Sequence, residues 1–239
     1  METSDFLEFI RLVVAGDTDR VSRRLSAAPA LATIASPVGA ARQQATDFFF
    51  TAISHYLYAG DTALHMAAAA SSRPIAELLM THGADCRARN RRGAEPLHYA
   101  ADGGRRDPRA QSGVIEYLIS IGAEPNAVDK TGVAPLHRAV RKRSLAAVHA
   151  LLDGGADPRT PNKSGSTPLH LAVQTTGRGG SGSEQARRQQ SEIIRLLLER
   201  GATPSDRDGR GRLVSEAATS EWIRNLIQEA ANNRRGEIR

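Results

Sequence analysis

Histidines and a lone cysteine are the side chains of this 239-residue chain best suited to hold a metal or act as base or nucleophile. Four of the seven histidines end one recurring tetrapeptide: Thr62-Ala-Leu-His65, Glu95-Pro-Leu-His98, Ala134-Pro-Leu-His137 and Thr167-Pro-Leu-His170. They are separated by 33, 39 and 33 residues. One histidine per unit argues against a shared ion, because packed helical units stand on the order of 10 Å apart, while zinc ligands lie about 2 Å from the metal. Cys86 has Arg87 and Arg89 beside it to lower its pKa. A nucleophile also needs a base oriented by a third group, and no local motif supplies one, so a packed turn cysteine is the favoured reading. The run Gly177-Arg-Gly-Gly-Ser-Gly182 lets backbone N–H groups converge on an anion, with Arg178, Arg187 and Arg188 to complete the site. It lacks the Gly-Lys-Ser/Thr of a phosphate-binding loop and has no strand before it, which leaves a flexible connector as the alternative. No catalytic, cofactor-binding or metal-ligating residue is assigned, no cofactor is expected, and the chain is not read as an enzyme.

The basic residues are the more informative pattern. The chain carries a formal charge of +6 and a pI near 10.1. Arg87-Ala-Arg89-Asn-Arg91-Arg92 places four arginines in six residues, and Arg138, Arg141, Lys142 and Arg143 follow in a later unit. Such clusters suit an acidic protein surface or a nucleic-acid backbone, or serve only as a solvated face. One cysteine excludes an intramolecular disulfide framework, which fits a reducing, cytoplasmic setting. The acidic start, with Glu2, Asp5 and Glu8 ahead of Arg11, is unlike a secretory signal. The most apolar run, Phe48 to Ala59, is too short to span a bilayer.

The elements that position these residues follow from the same periodicity. A Gly-Ala pair recurs at Gly83, Gly122, Gly155 and Gly201, and each is followed 10 residues later by Gly93, Gly132, Gly165 and Gly211. Thr167 suits an N-cap, and Pro168 the first helical position, where its missing N–H costs nothing. Ile193-Ile194-Arg-Leu196-Leu197-Leu198 supplies apolar residues at helical spacing, with Gly201 as a left-handed C-cap. Equivalent outer helices are expected at Ile75 to Met80, Val114 to Ser120, Ala147 to Leu152 and Ile223 to Ile227. One helix pair cannot bury its own apolar face, so neighbouring units must stack.

This pattern resembles the ankyrin repeat, over roughly residues 60 to 230. The resemblance implies an all-α ankyrin-repeat solenoid of stacked helix pairs with β-turn fingers: four full repeats plus degenerate N- and C-terminal caps. The expected division is a capping helix pair over 1–32, an insertion with an aromatic helix over 33–59, the repeat domain over 60–230 and a mobile tail over 231–239. Repeats start near 60, 93, 132, 165 and 211. Asp17 is a plausible cap between the two N-terminal helices. At the C-terminal cap, Ser215 and Glu216 stand where leucine and histidine are expected. The resemblance further implies that the tetrapeptide histidines bond to backbone at the turn. It places partner binding on the finger tips and inner helices, through Arg89, Arg91, Arg92, Lys130, Arg138, Lys163, Arg207, Arg210 and Arg212. The expected function is a non-catalytic scaffold binding an acidic protein through this basic concave face, with no membrane partner. The alternative is a nucleic-acid-associated binding protein.

Three segments depart from the period. Ala101 to Gly113, with Arg105, Arg106 and Arg109, and Val173 to Ser191, with the glycine run, both fall between the two helices of a repeat, so they should emerge on one edge. The third, Ala32 to Ala59, holds Phe48, Phe49, Phe50, Ile53, Tyr56, Leu57 and Tyr58. It reads either as an extra helix packed on the cap or as a hydrophobic docking or dimer surface.

Overall fold

A computed structural model describes residues 3–41, 45–103, 107–174 and 183–236. The chain opens with α1 (Thr3–Ala15) and α2 (Thr18–Ala27), joined at Gly16 and Asp17. The Asp17 carboxylate accepts from the Arg20 N–H at 3.0 Å, satisfying a donor at the start of α2. Phe6, Phe9, Ile10 and Val13 form one buried helical stripe that meets Val21 and Leu25.

Short inner helices then alternate with longer outer ones. The inner set is α3 (Ala63–Ala69), α5 (Pro96–Asp102), α7 (Pro135–Lys142) and α9 (Pro168–Ala172). The outer set is α4 (Arg73–Thr81), α6 (Pro108–Ser120), α8 (Leu145–Asp153) and α10 (Glu184–Glu199). The array closes with α11 (Val214–Ala217) and α12 (Glu221–Gly236). Buried alanines such as Ala67, Ala100, Ala101 and Ala139 let the inner helices approach closely. Leu79, Leu118, Leu151 and Leu197 carry the apolar load of the outer helices.

The tetrapeptide histidines fasten one repeat to the next. In His65, His98, His137 and His170, Nδ1 accepts the backbone N–H three residues earlier, at 3.1, 3.1, 3.2 and 3.2 Å. That bond leaves the proton on Nε2, which donates to a carbonyl of the following repeat: Ala94, Val133, Ser166 and Arg212, respectively. Burial lowers the pKa of His65, His98 and His137, and that of His98 reaches about 3 with help from the Arg138 charge. All four imidazoles therefore have structural partners, the first three in an environment that favours the neutral ring.

A second ladder joins the fingers. Asn90, Asp129, Asn162 and Asp208 each stand three residues before a turn glycine. Their Oδ1 atoms accept the backbone N–H groups two and four residues on, which shapes each finger. Backbone bonds then link neighbouring fingers: Arg91 N to Ala59 O, Lys130 N to Arg92 O, Lys163 N to Thr131 O and Gly209 N to Ser164 O. Gly132 shows why the turn residue lacks a side chain. Its φ is +75°, and a Cβ there would stand 2.6 Å from the backbone N of Lys163 in the next finger.

Three segments differ from the sequence expectation. The aromatic segment has no α-helix among its described residues. It makes a 3₁₀ turn over Thr46–Phe48 and an antiparallel hairpin of β1 (Phe49–Phe50) and β2 (His55–Tyr56). Paired aromatic residues favour strand, and tertiary bonds from Leu57 N to Phe48 O and from Ala40 N to Leu57 O satisfy its backbone. The segment read as a tail is helical through Gly236, because α12 meets good helix formers and no breaker before that glycine. The described parts of the inter-helix insertions are largely helix as well. Asp107 caps an α6 that starts at Pro108, and Ser183 caps an α10 that starts at Glu184. A buried glutamine anchors each extension: Gln111 Nε2 donates to Ala100 O and Gly103 O, and Gln190 Nε2 to Ala172 O. Arg105, Arg106 and the glycine run with Arg178 lie outside the described residues.

Candidate functional site

The inner helices, the finger tips and the hairpin together enclose a groove of about 600 Å³. Arg91 and Arg92 reach it from one finger and Lys130 from the next, while α7 presents Arg138, Arg141 and Lys142. Asp102, the last residue of α5, and Asp129, at a finger base, are its carboxylates. The hairpin forms one wall, with His55 stacked 4.4 Å from Tyr99 and Tyr58 under Arg92, whose guanidinium carbon stands 4.6 Å from the ring centroid. That cation–π contact holds the arginine near the groove without neutralising its charge.

Both carboxylates are committed. Arg138, only 11% exposed, donates through Nη1 to Asp102 at 2.8 Å and through Nη2 to Asp129 at 2.9 Å. This strut ties α5, α7 and a finger together, so Arg138 supports the groove floor more than it offers charge to a ligand. Burial raises the pKa of Asp102, but the adjacent His55 imidazole and Arg138 charge outweigh it and hold the carboxyl at about 2. Burial acts likewise on Asp129, where hydrogen bonds from Thr131 and Arg138 win and lower its pKa. Arg91, Lys130 and Arg141 are exposed along the rim.

The structure thus gathers Arg91, Arg92, Lys130 and Arg138 from the nine partner-binding candidates, and adds Arg141 and Lys142. The other five lie outside the groove lining. Arg89 turns to the far side of its finger, where it donates to Val128 O and Gly93 O and stands 3.7 Å from Glu95. Lys163 is exposed on the third finger. Arg207 donates to Gly211 O, Arg212 pairs with Asp208 at 2.8 Å, and Arg210 is exposed beside them. His55, Asp102 and Asp129 are the titratable groove residues that sequence reasoning did not single out. Only Asp129 carried a signal, its position three residues before a turn glycine.

Cys86 is 8% exposed, and its thiol points to Ile121 O at 3.7 Å. Burial raises its pKa, with the Asp85 charge acting in the same sense, which disfavours a reactive thiolate. Arg187 and Arg188 lie exposed on α10, with Arg188 paired to Glu184. Among the described residues no cluster of three or more His, Cys, Asp or Glu side chains could hold a metal ion, and no helix is long and apolar enough to cross a membrane.

Comparison with known proteins agrees with this architecture. The profile of ankyrin repeats, in three copies, matches residues 39–107 and 109–208. The human ankyrin repeat and SOCS box protein 6 is 33% identical over 156 residues, covering 61% of this chain and 36% of that protein. The E3 ubiquitin-protein ligase KEG of Arabidopsis thaliana is 38% identical over 86 residues, covering 35% of this chain and 5% of the ligase. The neurogenic locus notch homolog protein 1 of Danio rerio is 36% identical over 94 residues, covering 39% of this chain and 4% of its own length. The chain therefore spans about a third or less of the length of these relatives. With histidine ties, finger ladder and profile in agreement, the chain belongs to the ankyrin-repeat family, and its repeats form a protein–protein interaction domain.

Proposed function

We propose that this chain is a non-catalytic, cytoplasmic scaffold whose basic groove holds an acidic segment of a protein partner. One observation carries the reading: six cationic side chains line the groove against two carboxylates, and both carboxylates already engage Arg138. Six cations against two carboxylates leave the groove net positive, with both carboxylates turned to Arg138, which steers acidic partners toward it and favours charge-assisted bonds from Arg91, Arg92, Lys130 and Arg141. The repeat array starting near residue 60 supplies floor and fingers, and the 33–59 insertion supplies a wall.

The test is fluorescence anisotropy with a labelled peptide of Asp and Glu interspersed with Gly, against wild type and the triple variant Arg91→Glu, Arg92→Glu, Lys130→Glu. Each exposed ion pair contributes about 0.2–1 kcal/mol, so the triple reversal should weaken binding by about tenfold or more at low salt. Equal affinity for both proteins contradicts the reading. Tighter binding to a DNA or RNA oligonucleotide than to the peptide, with a steep loss in salt, favours the nucleic-acid alternative.

A further inference from the structure

The two helical extensions create a second feature on the edge where the inner helices turn into the outer ones. All four outer helices end two residues before a glycine: Thr81 before Gly83, Ser120 before Gly122, Asp153 before Gly155 and Glu199 before Gly201. Differences in length therefore fall at their N-terminal ends. The helices α4 and α8 have 9 residues each, whereas α6 has 13 and α10 has 16. At 1.5 Å per residue, α6 and α10 extend beyond α8 by about 6 Å and about 10 Å. Since α8 packs between these two, a notch of about 720 Å³ opens over its recessed end.

The notch is basic. Pro108 of α6 and Ala186 and Gln189 of α10 form its sides, Lys142 and Arg143 line it with His149, and none of the described lining residues is acidic. The N-terminal ends of α6 and α10 flank it, the first capped by the Asp107 carboxylate and the second opening with Glu184, which pairs with Arg188. It also joins the groove. Lys142 lines both, and a small crevice of about 80 Å³ between them is bordered by Arg141 and Arg143. A single basic track therefore runs from the finger tips along α7 and over its last turn to the gap between α6 and α10.

We infer that the acidic segment held in the groove continues in extended form over the end of α7 and leaves through this notch. The inference rests on the proposed function and deepens it: the partner presents an acidic stretch longer than the groove alone accommodates. The groove spans about two repeats, or on the order of 20 Å. Five extended residues cover about 17 Å and fill it, while twelve cover about 40 Å and reach the notch. Charge complementarity selects the occupant, since among the described lining residues the track carries cations from end to end and its carboxylates are the two bound to Arg138.

The experiment compares labelled acidic Asp/Glu/Gly peptides of five and twelve residues on the full chain. The notch variant is Ala186→Glu with Gln189→Glu, two positions outside the core on α10. Wild type should bind the twelve-residue peptide more tightly than the five-residue one. The notch variant should weaken the longer peptide about five- to tenfold and leave the shorter one unchanged, which also reports an intact groove. If the notch variant binds the longer peptide as wild type does, the exit path is wrong while the groove reading survives. If the Arg91, Arg92, Lys130 reversal also leaves both peptides unaffected, the groove reading fails and the inference with it. Wild type that binds an oligonucleotide more tightly than the longer peptide, with the notch variant weakening it, assigns the track to nucleic acid and overturns an acidic polypeptide as occupant.

Discussion

Acid should unfasten the repeats in a way that can be assigned to single histidines. His98 accepts the Glu95 N–H through Nδ1 and donates through Nε2 to Val133 O, so a second ring proton removes the acceptor that the first bond needs. Its pKa is about 3 in the folded chain against 6.5 when unfolded. The folded state thus binds fewer protons. The contribution is complete above pH 6.5 and is lost progressively as pH falls toward 3. For this one residue the loss at pH 5 is about 2 kcal/mol. His65 and His137, whose pKa values are also lowered by burial, add in the same sense. The depressed carboxyl groups of Asp102 and Asp129 act at lower pH. Glu95, whose pKa burial raises, opposes the trend slightly.

The assay is urea unfolding by circular dichroism at steps between pH 7.5 and 5.0, for wild type and His98→Gln. Wild type should lose at least about 2 kcal/mol across the series. Glutamine offers an acceptor and a donor without titrating, so His98→Gln should start less stable at pH 7.5 and then lose about 2 kcal/mol less than wild type as pH falls. A wild-type midpoint that stays flat across the series, or a variant with an undiminished slope, refutes the reasoning.

Other perturbations isolate single elements of the stack. Gly132→Ala combines a left-handed backbone with a Cβ 2.6 Å from Lys163 N, whereas Gly155→Ala has a similar φ of +91° and nothing within 4 Å. Thermal melts should show Gly155→Ala costing about 1 kcal/mol and Gly132→Ala clearly more, about 2–3 kcal/mol. Gln111→Leu removes the donor to Ala100 O and Gly103 O at a fully buried site; Ala100 O keeps the Gly103 N–H, so stability should fall by about 1–3 kcal/mol in all in chemical denaturation. An unchanged denaturation midpoint would show that the α6 extension is held some other way.

The repeat itself was legible because its signals are local and periodic. Pro at the first helical position, glycine after the outer helix and the tetrapeptide histidine act over three or four residues, and their recurrence locates each unit. The N-terminal pair was readable for the same reason, since Gly16 and Asp17 break and cap the chain without help from elsewhere. The hairpin at Phe49–Tyr56 was not, because its short strands depend on distant partners: Ala40 pairs with Leu57, and His55 rests on Tyr99. The helical nature of the insertions was hidden by their gaps in the repeat period, although Asp107-Pro108 and Ser183-Glu184 carry ordinary N-cap chemistry. Half of the groove was visible as a cluster of arginines. Which of them meet was decided by stacking, which turned Arg89 away from the groove toward Val128 and brought Asp102 against Arg138 from the neighbouring repeat.

The most direct test of the groove is amide chemical-shift mapping on isotope-labelled protein, titrated with the twelve-residue acidic peptide. Perturbations concentrated at Arg91, Arg92, Lys130, Arg138 and Arg141, and diminished by salt, are the predicted result. Shifts confined to the outer helices, around Glu77, Glu116 and Arg195, would contradict the account, because they would place the interacting surface on the opposite face of the stack.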